Sequence, residues 1–67
     1  MGIQEIIAYL HGLNLTGANL TSVDLRGANL SYAKLEKTNL KDANLSGANL
    51  EGAKLASAIM PDGTTHE

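Results

Sequence analysis

The sequence predicts an all-β fold, a solenoid of short stacked coils, and three observations lead there. Leucine recurs every five residues at Leu15, Leu20, Leu25, Leu30, Leu35, Leu40, Leu45, Leu50 and Leu55, and Met60 takes the next place. Two positions before each of these stands a residue that is small or apolar, in order Leu13, Ala18, Val23, Ala28, Ala33, Thr38, Ala43, Ala48, Ala53 and Ala58. The residue between them is Asn, Asp or Lys in every unit but the last, where it is Ile59. A fixed internal period of this kind is the mark of a repeat architecture.

A period of five fits neither standard element. In an α-helix five residues turn roughly 500°, so successive leucines would wander around the axis. In a straight strand side chains alternate with period two, and leucines five apart would face opposite ways. A three-residue extended piece followed by a two-residue corner does fit. The first and third side chains of the piece point inward, the middle one points out, and the corner re-aims the chain for the next unit. Gly17, Gly27, Gly47 and Gly52 fall in that corner, where permissive backbone angles are useful. Coils built this way stack at about 4.8 Å around a column of leucine lined by alanine.

The runs Gly27-Ala28-Asn29-Leu30 and Asp42-Ala43-Asn44-Leu45-Ser46-Gly47-Ala48-Asn49-Leu50 carry a resemblance to the pentapeptide-repeat proteins, and it extends over residues 13–62. The resemblance implies a right-handed, four-sided β-helix with one pentapeptide per side and about twenty residues per coil. The spacing of Lys34 from Lys54, and of Gly27 from Gly47, agrees with that coil length. The ending Met60-Pro61-Asp62-Gly63-Thr64 is also similar to the tails of many cyanobacterial members.

Three segments are expected. Ile3, Ile6, Ile7 and Leu10 have the spacing of one apolar helical face, and Gly12 is placed to stop a helix. Residues 1–12 are therefore read as a short capping helix resting on the first coil, since so short a helix is not stable alone. Residues 13–62 form the β-helix, and residues 63–67 a mobile tail after Pro61, which has no N–H to give to a ladder. With Asn19 under Asn39 and Asn29 under Asn49, side-chain amides are expected to bond along the stack. Lys34 over Lys54 is a mildly unfavourable like-charge pair. Inward Thr38 is expected to bond a nearby carbonyl.

Composition excludes several classes of function. The 67 residues make one domain of modest core, with aromatic content confined to Tyr9 and Tyr32. A net charge of -2 gives no electrostatic case for nucleic acid or an anionic membrane. The absence of cysteine fits a reducing, cytoplasmic setting, and no apolar run reaches the length of a membrane span. His11, Ser22 and Asp24 have the residue types of a nucleophilic triad, but a corner serine and an outward aspartate on a convex surface offer no pocket. Two histidines near opposite ends make no metal centre, and a bore packed with Ala and Leu holds no cofactor.

A structural or protein-interaction module is the expected function, with the partner open. The alternative is a DNA mimic that binds DNA gyrase, as some members of the resembled family do. Charge argues against it: a mimic about 14 Å tall needs about eight net negative charges at one per roughly 1.7 Å, whereas seven acidic residues here are offset by five basic ones. The last coil has no second helix to cover it, so Leu55, Ala58, Ile59 and Met60 are expected to form a homodimer or partner interface.

Overall fold

A computed structural model of the chain describes residues 9–67. The backbone climbs in coils of twenty residues, the outward residue of each unit pairing in parallel with the one twenty further on wherever a further coil follows. Tyr9, Asn29 and Asn49 form the first side; Asn14, Lys34 and Lys54 the second; Asn19, Asn39 and Ile59 the third; Asp24 and Asn44 the fourth. Each side is one rung wide, held by bonds such as Leu20 N–H to Asn39 O at 2.8 Å and Asn39 N–H to Ala18 O at 3.0 Å. Four sides per turn follow directly from a five-residue unit and a twenty-residue coil.

Every corner is closed by a hydrogen bond from the first residue of one unit to the leucine of the unit before, as from Ala18 N–H to Leu15 O at 2.9 Å. This bond, with φ > 0 at the third turn residue, is the type II arrangement. Glycine meets that demand at Gly12, Gly17, Gly27, Gly47 and Gly52, whereas Ser22, Tyr32, Lys37, Asp42 and Ser57 adopt φ between 59° and 64° without it. The left-handed region costs an L-residue about 1 to 2 kcal/mol. The fold tolerates the strain because corners above and below fix the path.

The core is the leucine column with its alanine lining. Leu30, Leu35 and Leu40 are wholly buried, with Ala28, Ala33 and Ala58. Thr38, in an alanine place, is equally buried and donates its hydroxyl to Leu35 O at 2.7 Å, as its position predicts. Burial is less uniform than the repeat implies. Leu10, Leu15 and Leu20 at one end and Leu45, Leu50 and Leu55 at the other are only partly buried, because among the described residues each has a coil on one side only.

Two boundaries differ from the expected ones. The helix anticipated over residues 3–10 falls mostly on residues 1–8, outside the described ones. At its far edge Tyr9 already pairs with Asn29, and Leu10 N–H donates to Asn29 O at 2.8 Å, so coil geometry begins before residue 13. His11-Gly12 is a corner like the others and not a helix stop.

The tail also departs from expectation. Pro61-Asp62-Gly63 is a three-residue hairpin loop with Gly63 at φ 87°, after which Thr65 pairs antiparallel with Ile59. Met60 N–H donates to Thr64 O at 2.7 Å, His66 N–H to Ala58 O at 2.7 Å and Ser57 N–H to His66 O at 2.9 Å. Asp62 Oδ1 steadies the loop by accepting from Thr64 N–H and from its hydroxyl. The tail is thus a strap along the third side of the last coil. No helix among the described residues is long and apolar enough to cross a membrane.

Depth in the column sets the cost of truncation. Leu35→Ala or Leu40→Ala leaves a cavity enclosed by coils on both sides and is expected to destabilise by about 2 to 5 kcal/mol. Leu55→Ala, open on one side, is expected to cost about half as much or less. Urea melts of the three variants rank them, and equal losses would contradict the graded burial.

Candidate interaction surface

The outward residue of each unit has a structural task that only some of these residues perform. The side-chain oxygen of Asn14, Asn19, Asp24, Asn29, Asn39, Asn44 and Asn49 accepts the N–H two residues on, at 3.0 to 3.1 Å. This Asx bond satisfies the corner donor that no backbone group reaches. The amides therefore bond within their own corners, instead of along the stack as expected. Asp24 also holds Arg26 through both oxygens, at 2.9 and 2.8 Å, the one ion pair among the described residues. The hydrogen bond from the Arg26 side chain, followed by that from its N–H, draws the exposed Asp24 carboxyl down to about 2.

Tyr9, Lys34, Lys54 and Ile59 cannot make that bond. For Ile59 nothing is lost, because the residue two on is Pro61, which has no N–H, and the strap lies alongside. For the other three the corner donors of His11, Glu36 and Ala56 make no hydrogen bond among the described residues. These three exceptions stand on adjacent sides, with Tyr9 on the first and both lysines on the second.

Tyr32 sits on the corner between those sides, in the column Gly12, Tyr32, Gly52, and takes φ 59° where both neighbours are glycine. Its ring lies against Gly52: a Cβ there would come to 2.5 Å from Tyr32 Cδ1 and Cε1. His11 meets Tyr32 edge-on at 5.6 Å between centroids and stacks with Tyr9 at 6.0 Å. His11 Nδ1 is 2.6 Å from Ser31 Oγ. That hydroxyl gives its single proton to Asn29 Oδ1 at 2.6 Å, so His11 Nδ1 carries the hydrogen and donates. Ser31 is buried, which fixes the imidazole from behind. The outcome is a cluster of three rings held on the outer surface, with Tyr9 72% and Tyr32 57% exposed.

His11 is thus tied to Ser31 and Tyr32 and not brought to Ser22 and Asp24, which lie on the far side of the coil; a nucleophilic triad is not assembled. Of the residues expected at a C-terminal interface, Ala58 is wholly buried, and Ile59 and Met60 are partly buried beside the strap. Leu55 stays partly exposed at the open rim. The ring cluster was missed in the sequence because Tyr32 falls in a corner; the signal was there in the twenty-residue spacing of Gly12, Tyr32 and Gly52.

These features define a class of protein: a closed-bore β-solenoid whose chemistry lies on its outer faces. A family model described as pentapeptide repeats matches in eight copies, over residues 8–42 and 37–61, and the chain belongs to the pentapeptide-repeat family. It is similar to the crystal structure of HetL, a pentapeptide repeat protein involved in heterocyst differentiation regulation from the cyanobacterium Nostoc sp. strain PCC 7120. The identity is 53% and the TM-score 0.78, over 79% of this chain and 22% of that one. The chain therefore spans about a fifth of that protein. Members of the family fold as right-handed quadrilateral β-helices, which agrees with the four sides found here. No curated protein matches the chain.

The Tyr32–Gly52 contact is open to a direct check. Gly27→Ala meets open space and is expected to cost only the backbone term, about 1 to 2 kcal/mol. Gly52→Ala must also push the ring away, so its loss should be larger and the ring resonances of Tyr32 should shift. Equal losses with unmoved resonances would show that the ring does not rest there.

Proposed function

We propose that the chain is a non-enzymatic protein-interaction module, a small scaffold whose contact surface is the corner carrying Tyr9, His11 and Tyr32. The observation that supports this reading most is the exposed ring cluster, whose members pack on one another. Aromatic side chains held in one conformation give large contact area at small entropic cost, which is why Tyr is enriched at interface hot spots. Similarity to a protein involved in differentiation regulation agrees with a regulatory scaffold, and family members are generally structural or interaction modules. A gyrase-binding DNA mimic is the weaker reading: the outward positions of the second side are two lysines under an asparagine, the opposite of a phosphate-like column.

Two assays separate these readings. Excess chain is expected to leave gyrase supercoiling unchanged near physiological salt. Tagged chain is expected to retain a discrete protein that Tyr9→Ala and Tyr32→Ala chains, folded by their melts, do not. Gyrase inhibition abolished by replacing Asp24, Asp42 and Glu51 would reverse the ranking.

A second reading has its own observation. The N–H groups of Leu45, Gly47, Leu50, Gly52 and Leu55 make no hydrogen bond among the described residues, so three sides of the C-terminal rim are open strand edge. We infer that two copies meet there about a twofold axis, which presents antiparallel edges to each other, with Leu55 at the contact and Ala58, Ile59 and Met60 behind the strap. Sedimentation equilibrium up to about 100 μM is expected to reveal a dimer weakened by Leu55→Lys. A strictly monomeric chain, or a dimer indifferent to that change, would remove this reading.

A further inference from the structure

The second side of the solenoid is built against the fold's own rules, and the fold offers no reason for it. Lys34 and Lys54 are neighbours on consecutive rungs, joined through Leu35 N–H to Lys54 O at 2.7 Å and Lys54 N–H to Ala33 O at 3.0 Å. Both side chains are exposed. Like charges facing each other across a rung are unfavourable. Each lysine also forgoes the Asx bond that Asn14, one rung above, makes to Thr16 N–H at 3.1 Å. Asparagine at both places would relieve the repulsion and satisfy two corner donors. Local rules broken without structural return mark functional positions.

The surroundings point the same way. Three of the five basic residues of the chain, Lys34, Lys37 and Lys54, lie on this side and its corner with the third side. No carboxylate among the described residues comes within 4.0 Å of any of them. Glu36 is half-buried on the same corner with Oε1 lacking any partner, and Glu51 is exposed on the opposite corner beside Tyr32. Tyr32, itself in a strained conformation, borders the lysine column directly. Free ammonium groups beside a fixed ring are complementary to carboxylates interleaved with an apolar residue.

We propose that this side binds a short acidic polypeptide segment, whose carboxylates engage Lys34 and Lys54 while an adjoining apolar side chain packs on Tyr32. This rests on the interaction reading and names its partner chemistry. Three rungs span about 10 Å, the length of about three extended residues, so the recognised motif is brief, with two or three acidic positions. Release of the two lysines from each other's field by bound carboxylates supplies part of the binding energy, and the attraction weakens with salt.

The test uses the full chain, 15N-labelled, titrated at low salt with the peptides acetyl-Glu-Glu-Leu-Glu-Glu-amide and acetyl-Lys-Lys-Leu-Lys-Lys-amide. The acidic peptide is expected to shift amides around residues 32–36 and 52–56, and the basic one to leave them in place. Lys34→Asn is expected to weaken acidic-peptide binding by about tenfold while raising Tm by about 3 to 8 °C through the restored corner bond. Lys41→Asn, with the same change of charge on another corner, should alter binding less than about twofold. Equal shifts from both peptides, equal weakening by Lys34→Asn and Lys41→Asn, or a lowered Tm for Lys34→Asn would each overturn the proposal. A Lys34→Asn, Lys54→Asn chain that still retains the protein lost by Tyr32→Ala would overturn the acidic assignment and leave the interaction reading standing.

Discussion

Everything in this fold depends on the hydrogen bond that closes each corner. By returning the chain through a tight turn after every leucine, it converts a five-residue period into four flat sides and keeps both apolar residues of each unit facing the axis. The bond demands φ > 0 at one position per unit, and half of the ten described corners meet that demand without glycine. The outward Asx oxygen completes the corner by taking the donor that the turn leaves over. Core, corner and outer surface are therefore a single device repeated, and departures from it are visible against a regular background.

Positive φ without glycine occurs at corners all round the coil, but the outward places that leave a corner donor without its Asx bond are not scattered. Tyr9, Lys34 and Lys54 lie on two neighbouring sides, with Tyr32 on the corner between them. Ile59 forgoes the bond without penalty because Pro61 follows. A solenoid with a filled bore has nowhere to put function except on its faces, so a face that gives up stability is the natural place to look.

The column of leucines and alanines was legible in the sequence, since it follows from a period that a stacked solenoid satisfies, whereas the coil length, and with it the stacking of Lys34 on Lys54, came from the resemblance to the pentapeptide-repeat proteins. The N-terminal boundary was not. Ile3, Ile6, Ile7 and Leu10 have helical spacing, but Leu10 also stands five before Leu15, and the tyrosine at the outward place hid the unit it belongs to. The strap was missed because Pro61-Asp62-Gly63 reads equally as an exit and as a hairpin loop; the choice depends on the free edge beneath Ile59, a tertiary fact. The ring cluster depends on residues 9, 11 and 32 meeting across a coil, which becomes visible only once the twenty-residue register is fixed.

That register sets what can be inserted or deleted without altering a face. Adding one pentapeptide keeps every leucine inside, yet it rotates all later outward residues by a quarter turn, so that Lys54 would leave the column of Lys34 and Gly52 would move from beneath Tyr32. Adding a whole coil of twenty preserves each column and merely lengthens it. The unit that carries the interior is the pentapeptide, whereas the unit that carries a surface pattern is four of them, and a stack that grows by duplication keeps its binding faces only when it grows by complete turns.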